Sequence, residues 1–146
     1  MQEGMAAYRA TRGELGIPFH LALLAEALSK AGRTSEGLVL IDEAIERAER
    51  WELGSQAELQ WRRGELLIAA DQVAAAEAAL RRGLDIARRQ NARMRELRAA
   101  TSLARLWQRR GRCREARELL EPIYSWFREG LDTRDLKNAR AVLSWT

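Results

Sequence analysis

The side chains in this sequence that could do covalent or metal chemistry are few and scattered. There is one imidazole, His20, and one thiol, Cys113, in 146 residues. Acyl transfer needs a nucleophile held beside a base, and His20 stands next to Phe19 at the start of an apolar run, as a half-buried helix histidine would. Cys113 follows Gly111-Arg112 and precedes Arg114. A helix head among arginines suits a thiolate, yet a lone cysteine at a turn is more often incidental. Asp42, Glu43, Glu46 and Glu49 form the one acidic cluster with ligand-like spacing. Arg47 and Arg50 fall among them at helical intervals, so the cluster reads as a solvated face. Gly32 and Gly37 are separate turn and packing positions and make no phosphate-cradling loop. No catalytic residue, metal or cofactor is expected, and the chain reads as a non-enzyme.

Guanidinium is the abundant functional group. All but Lys30 and Lys137 of the 25 basic residues are arginine, against 21 acids, for a net charge of +4. Residues 1–60 carry 6 basic and 10 acidic side chains, whereas residues 61–146 carry 19 and 11. Such a gradient can steer a polar partner along the molecule. The runs Arg109-Arg110-Gly111-Arg112-Cys113-Arg114 and Arg88-Arg89-Gln90-Asn91-Ala92-Arg93-Met94-Arg95 could clamp phosphates, which makes nucleic acid the rival partner. Acids interleaved at helical spacing argue for a self-paired surface instead. Glu77, Arg81, Asp85 and Arg89 run at i, i+4, i+8 and i+12, and Arg114 with Glu118 and Arg117 with Glu121 repeat the motif.

These side chains must be positioned by helices. The chain is 47% hydrophobic with 10 Gly and 2 Pro among abundant Ala, Leu, Glu and Arg, a composition that favours helix throughout. The hydrophobic content excludes a disordered chain, and one cysteine excludes a disulfide scaffold. No apolar run approaches the roughly 20 residues of a membrane span. The start, Met1-Gln2-Glu3-Gly4, lacks the basic end and apolar core of a signal peptide, so a cytoplasmic location is expected.

Three segments align without gaps. Ala25, Leu28, Gly32 and Gly37 correspond to Gly64, Leu67, Asp71 and Ala76, and to Ala104, Trp107, Gly111 and Ala116. In each, a small residue, a large apolar one, a turn residue and a second small residue sit at fixed offsets. The anchor steps from 25 to 64 to 104. Two antiparallel helices approach closely only where a small side chain faces the partner, and the large residue fills the space beside that contact. Gly32 and Gly111 can take the left-handed conformation that ends a helix; Asp71 takes it less readily. Each hairpin leaves an apolar side that must stack on a neighbour.

This pattern resembles the tetratricopeptide repeat over about residues 18–130. The steps here are longer than the family period of about 34 residues, and the aromatic usual early in the first helix is absent. The wording of Leu21–Ala27, Arg63–Leu67 and Glu96–Trp107, and the ending from Ile123 to Lys137, resemble the C-terminal repeats of bacterial proteins that combine a class III adenylate/guanylate cyclase domain with a STAND-type ATPase. Neither of those portions is present in these residues.

The resemblance implies an all-α right-handed α-α superhelix in one domain, 1–146. It would comprise a leading helix at 2–14, repeats at 18–50, 54–91 and 93–130, and a capping helix at 133–145. Pro122 is expected to kink the helix that begins near 112. In the family, the first helix of each pair lines a concave groove. By correspondence this implies Phe19, Ala22, Glu26, Ser29 and Lys30 from the first repeat. The second gives Glu58, Trp61, Glu65, Ile68 and Ala69, and the third Arg98, Thr101, Arg105, Gln108 and Arg109. The groove would be acidic and aromatic in the middle and basic towards the third repeat. Trp61 is the expected hot spot, since large aromatics dominate partner binding; its alternative place is against a neighbouring helix. Trp107 is expected in the core, and Trp126 and Trp145 between the last helices. The chaperone-binding members hold a carboxylate with Lys and Asn where this chain has Ala22 and Glu26, which disfavours such a ligand. The expected function is thus non-catalytic binding of a peptide or protein, as the scaffold or sensor part of a cyclase–ATPase signalling system. The alternatives are Arg-rich nucleic-acid binding and homodimerisation through the leading helix, whose Met5 and Tyr8, with Leu15 just after it, would be exposed.

Overall fold

A computed structural model describes residues 16–51 and 53–145. Among these residues the chain is all-α. The helices are α1 (Ile17–Lys30), α2 (Thr34–Trp51), α3 (Gln56–Ala69), α4 (Val73–Arg89), α5 (Arg93–Arg109), α6 (Cys113–Ser125) and α7 (Arg134–Ser144), with a short 3-10 turn at Leu53–Ser55. The expected leading helix at 2–14, with Met5, Tyr8 and Leu15, lies outside the described residues.

The helix ends follow from local chemistry. Pro18 occupies the first turn of α1, where its missing N–H is not needed. Four helices stop with the same pair of backbone bonds. Arg33 N donates to Leu28 O and Gly32 N to Ser29 O, and the same pattern joins Gln72 to Leu67, Ala92 to Ala87 and Arg112 to Trp107. The turn residue is left-handed each time: Gly32 at φ +81°, Asp71 at +59°, Asn91 at +53° and Gly111 at +77°. The turn at Asn91 shows that the link between the second and third expected repeats is as tight as the turns within them. Helix α6 runs through Pro122 and ends three residues later. The third repeat's helix is therefore shorter than the expected end at 130, and residues 126–133 connect it to α7.

Small residues set the helix approach, as their spacing suggested. Ala25, Ala76, Ala104 and Ala116 are buried, and a Cβ on Gly64 would fall 2.6 Å from Leu80 Cδ2. Gly64 lies against Leu80 and the carbonyl of Ala76, while Gly83 lies against the carbonyl of Ala57. An advance along α3 thus matches a retreat along α4, and the pair is antiparallel. Every helix packs on its sequence neighbour, and across the longer 126–133 link α7 reaches back to α5 as well as α6. The contacts that skip one helix join α1, α3, α5 and α7 in succession. These four form one row, with α2, α4 and α6 behind it.

The core is continuous along the array but divided in emphasis. Leu80, Leu97, Leu103, Leu120 and Leu136 anchor a large cluster over α3–α7. Ile17, Leu21, Ile41 and Ala44 anchor a smaller one over α1–α3, and Leu38 touches both.

Candidate functional site

The row of α1, α3, α5 and α7 encloses a groove of about 700 Å³. Helix α1 contributes Ala22, Glu26, Ser29 and Lys30; α3 contributes Glu58, Trp61, Arg62, Glu65 and Leu66. Helix α5 adds Arg98, Thr101, Ser102 and Arg105, and α7 adds Arg134, Asp135 and Asn138. One face of each helix supplies its share because these positions recur at intervals of three and four.

Trp61 serves both of the roles open to it in the sequence. It packs partly on the large core cluster and also lines the groove. Its Nε1 donates to Ser102 Oγ at 2.9 Å, which fixes the ring across the α3–α5 seam. The guanidinium carbons of Arg62 and Arg98 each lie 5.7 Å from its ring centroid, within cation–π range.

Alternating charges lace the row together. Lys30 pairs with Glu26 at 2.9 Å, and Glu26 with Arg62 at 2.7 Å. Arg62 also reaches Glu58 at 3.2 Å. Arg98 then spans from Glu58 at 3.9 Å to Asp135 at 2.9 Å. Hydrogen bonding from Lys30 and then Arg62 outweighs partial burial and holds the Glu26 carboxyl below its ordinary range. Acids and bases thus face each other from helix to helix along the groove. Among the described residues, Glu65, Arg105 and Arg134 line the groove without an ion pair.

Eight of the residues singled out from sequence therefore lie together: Glu26, Lys30, Glu58, Trp61, Glu65, Arg98, Thr101 and Arg105. Three do not. Phe19 is 52% exposed in the first turn of α1 and meets His20 edge-on at 5.8 Å; it shares the helix face of Glu26 but lies a turn beyond the lining positions. Gln108 is spent on α7, its Nε2 donating to Val142 O at 2.7 Å. Arg109 is exposed at the end of α5, beyond the groove. Of the further positions the resemblance implied, Ala22 and Ser29 line the groove, while Ile68 packs on the core. Arg62 was legible as the i+4 partner of Glu58 but was not singled out. Arg134, Asp135 and Asn138 were hidden because α7 was read only for its apolar stripe.

The remaining candidates have structural settings. His20 is exposed, not half-buried, and its Nδ1 lies 2.7 Å from Gly16 O. Cys113 is exposed at the head of α6. Within the acidic cluster, Glu43 pairs with Arg47, Glu46 with Arg50 and Asp42 with Arg63. Trp107 is buried, as expected, between the guanidinium carbons of Arg81 and Arg112 at 5.0 and 4.6 Å. Glu77 joins both arginines, at 2.9 and 3.4 Å, and the buried Trp107 indole lies beside it. Burial would raise the Glu77 carboxyl, but Arg81, the Trp107 indole and Arg112 together hold it below its ordinary range. Trp126 and Trp145 do not join the last helices. Trp126 is 55% exposed against Phe127 and Arg93, and Trp145 is 82% exposed.

The two arginine runs occupy opposite ends of α5, a 17-residue helix about 25 Å long. Several of their members are engaged: Arg88 and Arg93 with buried Glu96, Arg112 with Glu115 and Arg114 with Glu118. Among the described residues no helix is long and apolar enough to cross a membrane. Comparisons with protein-family models, curated proteins and solved structures found no match.

Proposed function

We propose that this chain is a non-catalytic interaction module whose groove binds an extended peptide or protein segment. The reading rests on one observation above all. Four helices present a single trough of about 700 Å³ in which Trp61 offers an aromatic face and three charged side chains have no ion-pair partner among the described residues. A protein stabilising only itself gains little from leaving Glu65, Arg105 and Arg134 unmatched along one seam. A tetratricopeptide-like, right-handed superhelix is the architecture proposed for the array. The two-row packing, the repeated left-handed turns and the buried small residues support it. By the sequence resemblance, the module serves as the scaffold or sensor part of a cyclase–ATPase signalling system in the cytoplasm.

The test is selection of peptides from a displayed random library on the full chain, followed by affinity measurement on variants. Arg105→Glu is expected to weaken selected peptides by about tenfold, a change of the size that loss of a charged contact produces. Trp61→Phe is expected to weaken those with an apolar anchor, with circular dichroism unchanged. Arg114→Glu, on the far surface, should bind as the parent does. Peptides whose affinity ignores all groove substitutions would overturn the reading. So would failure to select any peptide alongside salt-sensitive retardation of random oligonucleotides, which would favour the arginine runs as the binding surface.

A further inference from the structure

The groove has two tiers, and only one of them is internally neutralised. The cross-helix bonds fix the register: Glu26 meets Arg62, Glu58 meets Arg98, Trp61 meets Ser102, and Arg98 meets Asp135. One helical turn further along each helix, the same register aligns Lys30 of α1, Glu65 of α3, Arg105 of α5 and Asn138 of α7. All four line the groove. Among the described residues Lys30 pairs with Glu26 alone, with its own side chain 76% accessible, and such a pair contributes little. Glu65 and Arg105 make no ion pair among the described residues. The second tier thus displays positive, negative and positive groups in order, followed by a side-chain amide.

Resting on the peptide-binding reading above, we infer that the groove selects an extended segment with acidic, basic and acidic side chains at three-residue intervals. The spacing follows from geometry. Neighbouring packed helices lie about 8–10 Å apart, and an extended chain in the polyproline II conformation advances about 3.1 Å per residue with three residues per turn, so three residues carry it from one helix to the next and return its side chain to the same face. The outer acids meet Lys30 and Arg105, and the central base meets Glu65. Asn138 can both donate to and accept from the segment's backbone beyond Arg105. Because the charge order is symmetric, the match does not depend on chain direction. Below this tier Trp61 receives an uncharged side chain between the charged ones, and the paired charges of the lower ladder need no partner.

Two synthetic peptides of equal composition and net charge test the inference on the full chain. One carries Glu-x-x-Lys-x-x-Glu and the other Glu-x-x-Glu-x-x-Lys, with the same uncharged spacers. The first is expected to bind about tenfold more tightly at low salt, and the advantage should shrink as salt screens the contacts. The double variant Glu65→Arg/Arg105→Glu keeps the net charge and should reverse the preference, with its circular dichroism unchanged. Equal affinity for the two peptides, or a preference that the double variant leaves in place, overturns the charge order while library-selected peptides still bind the groove. If no peptide of any sequence depends on the groove, the inference and the binding reading fall together.

Discussion

At the scale of single residues, side chains here act through pairing more than through reactivity. The cluster of Glu77, Arg81, Arg112 and Trp107 shows why. A tryptophan buried beside two guanidinium groups has a favourable ring face, but the cations need an anion to remain there, and Glu77 supplies it from α4. Because the folded Glu77 carboxyl is held below its ordinary value, it adds stability above about pH 4.3, the usual glutamate value. That contribution is lost as the pH falls through the lower folded-state value. Glu77→Gln should therefore cost about 1 kcal/mol at pH 7, discounted because Arg81 is half exposed. The gap from the parent should narrow as the pH falls below the usual glutamate value. Urea denaturation at pH 7, 5 and 3 reads it, and a constant gap would show that shape rather than charge matters at this position. The sequence exposed the Glu77–Arg81 pair through its i+4 spacing. It could not expose Arg112, which reaches Glu77 across 35 positions, because pairing between helices depends on a register that local spacing does not carry.

At the scale of the helix, the residues that could be read were those with one physical explanation. Gly32 and Gly111 marked turns because a left-handed residue is cheap only at glycine, and both turns are present. Asn91 was missed as a turn of the same kind, since it sits inside an arginine run that drew attention to charge. Trp145 misled for the opposite reason: a large aromatic suggests burial, but at the end of α7 it meets nothing that covers it. The groove positions were read through a family correspondence that assigns helix faces, and those in the middle of each helix line one groove. Phe19, Gln108 and Arg109, near the helix ends, lie outside it, and Gln108 bonds to α7 instead. Close helix approach gives the sharpest test at this scale. A Cβ on Gly37 would stand 2.7 Å from the backbone oxygen of Ala25, which cannot swing aside as a side chain can. Gly37→Ala should destabilise the protein by about 1–3 kcal/mol despite alanine's better helix propensity. Gly54→Ala, where nothing lies within 4 Å of the added carbon, should stay within about 0.5 kcal/mol of the parent. Thermal melts of the two variants side by side decide it; equal shifts would mean that α1 and α2 can slide apart at no cost.

At the scale of the whole chain, stability in such a row of helices comes from each helix and its neighbours, since no single centre is shared by all. The two larger core clusters express this. Ile17, Leu21 and Ile41 belong to one, and Leu97, Leu120 and Leu136 to the other, with α3 contributing to both. Helix α7 closes the far end by burying Leu136, Ala139 and Val142 against α5 and α6. It also completes the groove with Arg134, Asp135 and Asn138. A chain ending at Gly130 would expose the apolar surface that those three side chains cover, at a cost of about 3–5 kcal/mol. Nearest-neighbour packing then makes a spatially graded demand on amide exchange. Protection should fall most in α5 and α6, which lose a direct partner, and hardly at all in α1 and α2, which pack mainly on each other and on α3. Hydrogen exchange read by mass spectrometry on the shortened chain resolves these segments separately. Uniform loss of protection from α1 to α6 would mean that the helices fold as one indivisible unit. In that case the groove could not adjust at one end without loosening at the other, and partner binding at α5 and α7 would be felt as far away as Glu26.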